Sequence, residues 1–209
     1  MKRIRVIDCG AGNLHSVRKA LIHVAPGEDV AITRAAEELA DATHIVLPGV
    51  GAFADCMAGL DRLPGMRSAL EKTVLHGTTP FLGICVGMQM LFTRGHEFGT
   101  HEGLGWFQGE VTPLTPEDTT LRIPHMGWNG LIYERAHPIL AGIPAGSFAY
   151  FVHSFHATGT RAEEVIASVD YGGQVVAIIG RGHILGTQFH PEKSQHVGLT
   201  LLQNFLTMG

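Results

Sequence analysis

The sequence predicts an α/β fold, with a mostly parallel central sheet, flanking helices, and additional antiparallel strands in the C-terminal half. In the first part of the chain, short apolar segments alternate with amphipathic segments of helical periodicity. Strands and helices that alternate in this way form parallel sheets with right-handed crossovers. Beyond residue 105 short strand-like segments follow one another, and Gly172 and Gly173 are typical of a hairpin turn between two of them.

Each predicted element follows from its local pattern. In the first half, strands are expected at residues 3–8, 30–33 and 44–47 and from residue 79 onward. Helices are expected from residue 14 to residue 24 and at residues 35–40, 55–63 and 66–76. Later strands are expected at residues 106–114, 122–134, 147–154, 165–171, 174–180 and 184–190, before a closing helix at 196–207.

Composition narrows the class of protein. Hydrophobic residues make up 45% and charged residues 16% of the chain, which is enough apolar side chain for the core of a single domain spanning residues 1–209. The net charge is −4 and no block of Lys or Arg occurs, so we expect no nucleic acid and no membrane as partner. No apolar run approaches about 18 residues and no signal-peptide pattern precedes the first strand, so a cytoplasmic protein is expected.

Cysteine and histidine usage argues against disulfides and metals. The three cysteines, Cys9, Cys56 and Cys85, form no CxxC motif, which fits a reducing compartment. The 13 histidines are scattered and are not grouped with carboxylates or cysteines, so no metal site is expected. Gly10 and Gly12 lack the third glycine of the dinucleotide fingerprint. We therefore expect no cofactor.

Cys85 is the candidate nucleophile. It is flanked two residues away on each side by Gly83 and Gly87, which is the form of a nucleophile elbow with Cys in place of Ser. The glycines permit a tight turn and a close approach of neighbouring backbones. Apolar residues at helical spacing follow, and a thiol at a helix N-terminus is favoured as thiolate. The alternative is a buried, inert core cysteine.

His190 and Glu192 are the candidate base and its orienting group. Pro191 disfavours helical geometry for His190, and in an extended segment residues 190 and 192 point to the same side. The carboxylate is therefore expected beside the imidazole, as a nucleophile requires. The alternative is a surface pair at a strand end. Because ligands bind beyond the carboxyl ends of parallel strands, three loops are expected to converge: the turn after Asp8, residues 48–53, and the elbow.

These two motifs together resemble those of class I glutamine amidotransferases of the Cys-His-Glu type. Residues 10–16, 47–53, 124–129 and 190–194 narrow the resemblance to the glutaminase subunits of imidazole glycerol phosphate synthases. The resemblance runs from the first strand to the last helix. It implies the flavodoxin-like fold of class I glutamine amidotransferases.

The resemblance also implies an activity and a partner. The subunit would hydrolyse L-glutamine to glutamate and ammonia through a Cys thioester. The ammonia would pass to a separate (β/α)₈-barrel cyclase subunit in a heterodimer. There it would join a phosphoribulosyl nucleotide intermediate to give imidazole glycerol phosphate and aminoimidazole carboxamide ribotide, a step of histidine biosynthesis.

Finally, the resemblance implies roles for particular residues. Cys85 would attack the substrate amide, His190 would act as acid and then base, and Glu192 would orient His190. The oxyanion hole would be formed by backbone N–H groups of Gly49, Val50, Gly51 and Val86. Substrate would be bound by Gln89, Glu97 and the backbone at Ser154 and Phe155. The cyclase-facing positions would be Asn13, Trp128, Tyr150 and Lys193.

Some of these assignments have simpler alternatives. Gln89 could be an ordinary polar helix residue, and Trp128 could be a core aromatic. Residues 93–96 (Thr-Arg-Gly-His) depart from the more acidic residues that often precede Glu97 in the family.

Three other functions compete with this interpretation. The chain could serve another synthase, such as one for anthranilate, guanylate or pyridoxal phosphate, but residues 12–16 and 125–129 argue against that. It could be a peptidase-like cysteine hydrolase, for which the His-Pro-Glu pair would be unexpected. It could also be a catalytically dead binding subunit, although Cys85, His190 and Glu192 are all present.

Overall fold

The structure, a computed structural model, describes residues 1–209 and contains five α-helices and fourteen β-strands. The helices are α1 (Leu14–Val24), α2 (Phe53–Asp61), α3 (Met66–Leu70), α4 (Val86–Gln89) and α5 (Gln195–Leu206). The first seven strands are β1 (Arg3–Ile7), β2 (Asp29–Thr33), β3 (His44–Gly49), β4 (Phe81–Cys85), β5 (Arg94–Gly95), β6 (His101–Glu102) and β7 (Glu110–Pro113). The others are β8 (His125–Gly130), β9 (Ile132–Tyr133), β10 (Phe148–His153), β11 (Phe155–Thr158), β12 (Val165–Asp170), β13 (Gln174–Arg181) and β14 (Ile184–Thr187).

The largest sheet has eight strands in the order β2-β1-β3-β4-β14-β13-β12-β9. Its first five strands are parallel, and the remaining three are joined antiparallel. The parallel part has the 2-1-3-4-5 order of flavodoxin-like doubly wound sheets. The predicted fold class is therefore confirmed, including the hairpin at Gly172 and Gly173 between β12 and β13.

Two smaller sheets contain the strands that the large sheet does not include, and all their pairs are antiparallel except the parallel pair of β5 and β7. Strands β8 and β10 form a two-stranded ribbon, and β11, β7, β5 and β6 form a four-stranded sheet. The predicted strand at 122–134 is divided at Leu131 into β8 and β9, and the one at 106–114 is reduced to β7. Strands β5, β6 and β11 were not predicted. They are two to four residues long and lack a recognisable apolar run.

The helices differ from prediction mainly in length. The segment predicted at 35–40 is a single 3₁₀ turn (Ala36–Leu39), and the one at 66–76 is α3 continued by a π turn (Glu71–Leu75). Helix α4 ends after four residues. The carbonyls of Met90 and Leu91, which in a longer helix would accept from the N–H groups of residues 94 and 95, instead accept from those of Leu104 and Trp106, both at 2.8 Å. Tertiary hydrogen bonds thus end the helix.

The core positions the ends of three central strands beside one another. Buried apolar residues from β1 to α5 form one continuous cluster of 57 side chains, and β3 and β4 are buried along their whole length. Gly49 of β3 pairs with Cys85 of β4, and Thr187 of β14 pairs with Ile84. The carboxyl ends of β3, β4 and β14 therefore meet at one edge of the sheet. No helix in the structure has the length and apolar character needed to cross a membrane.

Candidate active site

Cys85 occupies a strained turn between β4 and α4. Its φ of 55° and ψ of −111° are values that residues with a Cβ seldom adopt, and such strain is common at functional sites. A Cβ at Gly83 would lie 2.6 Å from the Gly87 carbonyl oxygen, and a Cβ at Gly87 would lie 1.8 Å from the Leu47 carbonyl oxygen. Only glycine fits at either position. The strand, sharp turn and close backbone approach expected around Cys85 are all present.

The length of α4 changes one expectation about the Cys85 thiolate. A helix of four residues, Val86–Gln89, has a much smaller dipole than the longer helix predicted from the apolar spacing. The Cys85 side chain is buried, and the Nε2 atom of Gln188 donates to its Sγ over 3.8 Å. Charge stabilisation of a thiolate must therefore come mainly from side chains around it, above all from His190.

His190 and Glu192 form a buried ion pair. The His190 Nδ1 atom lies 2.8 Å from Glu192 Oε1, and the two side chains are 2% and 1% exposed. Their proximity was predicted, but the reason for it differs. Strand β14 ends at Thr187, His190 itself is extended, and Glu192 lies in a 3₁₀ turn (Pro191–Lys193) that brings its carboxylate back onto the ring.

The charge state of His190 follows from its two neighbours. Burial alone lowers its pKa, but hydrogen bonding and charge from Cys85 and Glu192 outweigh burial and raise the pKa of His190 to about 9. Its Nε2 atom has no hydrogen-bond partner of good geometry in the chain. With Nδ1 donating to Glu192, Nε2 remains available to exchange a proton at Cys85. An imidazolium there at neutral pH stabilises a thiolate.

The segment after β3 supplies free backbone donors. The N–H groups of Val50 and Gly51 donate no hydrogen bond within the chain, and both residues line the same cavity as Cys85 and Val86. Gly49 does not line this cavity. A Cβ at Gly49 would lie 2.7 Å from the Gly87 nitrogen, so Gly49 permits the close contact between β3 and the elbow.

This cavity has a volume of about 530 Å³, in the range of small-molecule sites. Gln89 is buried in its wall, and the Gln89 Nε2 atom donates to the Phe155 carbonyl at 3.0 Å and to Gln188 Oε1 at 3.1 Å. Both amide hydrogens are then in use, so Oε1 is the Gln89 group left for a ligand. Ser154 and Phe155 also line the cavity, as expected.

Glu97 lines the cavity as well, but it has a second contact. Its Oε2 atom accepts a hydrogen bond of 2.9 Å from the backbone nitrogen of Phe53, the first residue of α2. This bond satisfies one of the free N–H groups at the helix start. Glu97 therefore connects the cavity wall to α2.

Of the four positions predicted to face a partner, Lys193 lines the cavity, whereas Asn13, Trp128 and Tyr150 do not. Trp128 is 46% exposed, which excludes a core aromatic, and its ring centroid is 5.9 Å from that of Tyr150. The Lys193 Nζ atom lies 5.8 Å from the Tyr150 ring. Asn13 precedes α1, which contacts the 3₁₀ turn containing Lys193.

One loop does not reach the site as expected. No residue of the turn after Asp8 lines the cavity. That turn packs behind the segment of residues 48–51 instead: Gly12 approaches Pro48, and the Cys9 Sγ atom contacts the Pro48 carbonyl at 3.8 Å. The two remaining loops line the cavity together with His190, Lys193 and residues 97–98 and 152–155. The turn was predicted there because β1 is a central parallel strand, but Pro48 lies between it and the cavity.

Comparison with known proteins identifies the family. The model of the family described as glutamine amidotransferase class-I matches residues 5–208. The chain belongs to this family. It is 50% identical over 211 residues to imidazole glycerol phosphate synthase subunit HisH of Brucella suis biovar 1 (strain 1330), covering 98% of each chain. It is also 50% identical to the HisH subunit of Rhodospirillum rubrum over 209 residues, again 98% of each chain.

A solved glutamine amidotransferase structure has the same fold. It superposes with a TM-score of 0.74 at 20% identity, and the match covers 98% of this chain and 97% of the other. The resemblance predicted from the motifs around Cys85 and His190 is therefore confirmed at the level of family and fold.

Two residues of this glutamine amidotransferase site were missed in the sequence. Gln188 contacts both Cys85 and Gln89, and His153 lines the cavity beside Ser154. A signal for Gln188 was present, since it stands two residues before His190 and so points to the same side of an extended segment. No local pattern pointed to His153. No group of three or more His, Cys, Asp or Glu side chains in the structure is arranged to hold a metal ion.

We expect Glu192→Gln to lower kcat/KM for glutamine by about 10²- to 10³-fold, less than removal of Cys85 would. The amide keeps the shape but removes the charge that supports the raised pKa of His190, and it can stabilise the wrong tautomer of the ring. Steady-state glutaminase assays of the partner-bound protein measure the effect. Glu163→Gln is the control, because Glu163 is an exposed residue of a 3₁₀ turn outside the cavity. Wild-type turnover in Glu192→Gln would remove Glu192 from the catalytic group.

Proposed function

We propose that this chain is the glutaminase subunit of an imidazole glycerol phosphate synthase, and that Cys85, His190 and Glu192 are its catalytic residues. The observation that supports this most directly is the nucleophile elbow. A strained cysteine stands at the wall of a cavity beside a histidine that a buried carboxylate orients. The substrate would be L-glutamine, whose side-chain amide carbon would be attacked by the Cys85 sulfur.

The reaction requires two proton transfers at one histidine. The Cys85 sulfur first forms a bond to the amide carbon, which gives a tetrahedral intermediate. As this intermediate collapses to a thioester, His190 Nε2 gives its proton to the departing nitrogen, which leaves as ammonia. His190 then takes a proton from water as the water oxygen attacks the thioester. Glutamate is released and the Cys85 sulfur is restored. Glu192 keeps Nδ1 protonated throughout.

The negative oxygen of the tetrahedral intermediates needs hydrogen-bond donors. The N–H groups of Val50, Gly51 and Val86 stand at the cavity that contains the Cys85 sulfur, with Gly49 supporting them from behind. A donor of this kind contributes about 3–4 kcal/mol in comparable enzymes. Gln89 Oε1 and the Glu97 carboxylate would bind the ammonium group of glutamine, and backbone groups at Ser154 and Phe155 would bind its α-carboxylate.

The partner would be a (β/α)₈-barrel cyclase subunit, with which the chain forms a heterodimer. The ribbon of β8 and β10 is the main support for this part of the proposal. Directly paired residues of a ribbon share a face, and on the face with Trp128, Tyr150, Met126 and Phe148 all of these side chains except Tyr150 are exposed. Met126 and Phe148 are 63% and 59% exposed. Exposed apolar side chains clustered in this way mark interaction surfaces.

In this complex the ammonia would not be released to solvent. It would pass to the cyclase and react there with the phosphoribulosyl nucleotide intermediate, giving imidazole glycerol phosphate and aminoimidazole carboxamide ribotide in histidine biosynthesis. Asn13 and Lys193 would complete the contact surface around Trp128. We further propose that residues 1–209 act as one glutaminase domain, which the continuous core from β1 to α5 supports. We also propose that the enzyme works in the cytoplasm, because its three cysteines are free and the cytoplasm is a reducing compartment.

We expect Trp128→Ala to weaken binding of the cyclase by at least about 30-fold, because exposed aromatic anchors contribute about 2 kcal/mol or more at interfaces. Titration calorimetry with the purified cyclase measures the dissociation constant. Ile22→Ala is the matched control, since Ile22 is also exposed but lies near the opposite end of α1 from Asn13. Equal affinities for wild type and Trp128→Ala would remove Trp128 from the interface.

The decisive experiment for the proposed function is co-purification with the barrel cyclase of the same organism, followed by assays of glutamine hydrolysis and of imidazole glycerol phosphate formation. Glutamine-dependent product formation by the pair would support the proposal. Glutamine hydrolysis that is stimulated instead by an anthranilate, guanylate or pyridoxal phosphate synthase would contradict it.

A further inference from the structure

Two buried histidines that the mechanism does not use, His125 and His153, belong to a series of hydrogen bonds that ends at the cavity wall. The Asn129 Nδ2 atom lies 3.4 Å from His125 Nε2, and His125 Nδ1 lies 3.0 Å from His153 Nε2. His153 Nδ1 lies 2.9 Å from the Phe155 carbonyl oxygen. These hydrogen bonds thus connect Asn129, near the end of β8, to the Phe155 carbonyl at the wall of the cavity.

The direction of every bond in this series follows from its ends. The Phe155 carbonyl can only accept, so His153 carries its proton on Nδ1, and its Nε2 accepts. His125 must then donate from Nδ1, and its own Nε2 accepts from the amide of Asn129. Both rings are neutral in this arrangement. A second proton on His153 would place two N–H groups against each other.

The surroundings of the two rings favour this neutral state. His125 is stacked between Tyr171 and Phe151, with centroid distances of 3.9 Å and 4.8 Å. Burial lowers the pKa of His125 to about 4, and it lowers the pKa of His153 to about 3. The other titratable groups that face His153 are His156 and His190, and positive charge on either lowers its pKa further. No carboxylate faces the pair to stabilise a cation.

The Phe155 carbonyl, where this series of hydrogen bonds ends, also contacts Gln89 in the cavity wall. The Phe155 carbonyl accepts both from His153 Nδ1 and from Gln89 Nε2, at 2.9 Å and 3.0 Å. The position of the carbonyl therefore determines where the Gln89 side chain, and its free Oε1, point. His153 and His125 are also directly opposite each other in the β8–β10 ribbon, whose outer face contains Trp128.

We propose that His153 and His125 are positioning residues for the glutaminase reaction: as a neutral pair they fix the Phe155 carbonyl, and through it Gln89, in the arrangement that binds glutamine. This inference rests on the proposed function. It assigns a purpose to two histidines that act through another residue and do not contact the reacting atoms.

The kinetic test compares two nearly isosteric replacements of His153 in the complex with the cyclase. His153→Leu removes the donor to the Phe155 carbonyl, and we expect KM for glutamine to rise about tenfold while kcat changes less than about threefold. His153→Asn places an amide nitrogen where Nδ1 stands, so KM should return to within about threefold of wild type. His125→Phe keeps the aromatic stack but removes the donor to His153, and it should also raise KM.

His44→Leu is the matched control for loss of a buried histidine. His44 is buried at the start of β3, where its Nε2 contacts the Met208 carbonyl, far from the carboxyl ends of the strands. The KM of His44→Leu for glutamine should equal that of the wild-type protein. An unchanged KM in both His153→Leu and His125→Phe, no recovery in His153→Asn, or an equal rise in His44→Leu would overturn the inference. Should His153→Leu fail to fold, His125→Phe decides the kinetic result.

A second readout does not depend on activity. Nitrogen-15 NMR of the imidazoles in the wild-type chain should show both rings neutral, with the proton on Nδ1, between pH 6 and pH 8. A charged ring or a proton on Nε2 of His153 would overturn the inference even if glutamine turnover is normal. Absence of glutamine turnover in the wild-type complex would instead overturn the proposed function and this inference with it, so the two failures are distinguishable.

Discussion

Cys85→Ala is expected to reduce glutamine-dependent product formation by at least about 10⁴-fold, since no other group at the cavity can form the thioester. Formation of the same product from added ammonium salts by the Cys85→Ala complex should be close to normal. The reason is that, in the proposed complex, the cyclase chemistry would take place on the partner subunit and only its supply of ammonia would be lost. Assays with glutamine and with ammonium chloride on one preparation separate the two steps.

Cys9→Ala is the control for this experiment. Cys9 is buried behind Pro48 and does not line the cavity, so its glutamine-dependent rate should stay within about threefold of wild type. Glutamine turnover that persists in Cys85→Ala would contradict the thioester mechanism. Loss of the ammonium-dependent rate as well would mean that Cys85 also supports the cyclase, or that the complex no longer assembles.

The second large effect is expected from the partner. We expect the isolated chain to be a poor glutaminase whose turnover rises about 10³-fold when the cyclase binds together with its nucleotide ligand. A factor of this size requires a difference of only about 4 kcal/mol in transition-state stabilisation. A change in the orientation of one peptide at the oxyanion hole is sufficient to produce it.

The backbone after β3 provides the physical basis for this latency. Gly51 has a φ of 88°, and no atom outside residues 50–52 lies within 4 Å of where its Cβ would be. Reorienting the Val50–Gly51 peptide therefore breaks only one weak hydrogen bond, from Cys56 Sγ to the Val50 carbonyl at 3.4 Å. Gly49 is different because it is packed against Gly87. Glycine flanks Val50 on both sides in the sequence, but the structure leaves conformational freedom only on the Gly51 side. Docking near Asn13 and Lys193 could favour one orientation of that peptide.

Three measurements test the latency: glutamine hydrolysis by the chain alone, with the cyclase, and with the cyclase plus its nucleotide ligand. Cys85→Ala in the full complex gives the background rate. Rates for the wild-type chain that agree within about twofold across all three conditions would contradict the prediction, and would mean that the oxyanion hole is already formed in the isolated chain.

Features of the site that depend on neighbouring residues could be predicted from the sequence. Gly83 and Gly87, each two residues from Cys85, predicted a tight strand-to-helix turn at the nucleophile from neighbouring residues alone. His190 and Glu192 are separated by one residue, so their contact needs no distant part of the fold. The parallel sheet could likewise be predicted. Short apolar runs indicated strands, apolar residues at helical spacing indicated helices, and alternating strands and helices form parallel sheets.

Features that depend on the pairing of distant segments could not be predicted and appear only in the folded chain. Strand β14 lies beside β4, and this pairing brings His190 to Cys85. The short α4 results from hydrogen bonds made by residues 104 and 106, and the contact of His153 with His125 depends on the register of β8 against β10. Register and strand order are set by burial of whole strands against the core, which a local pattern does not encode.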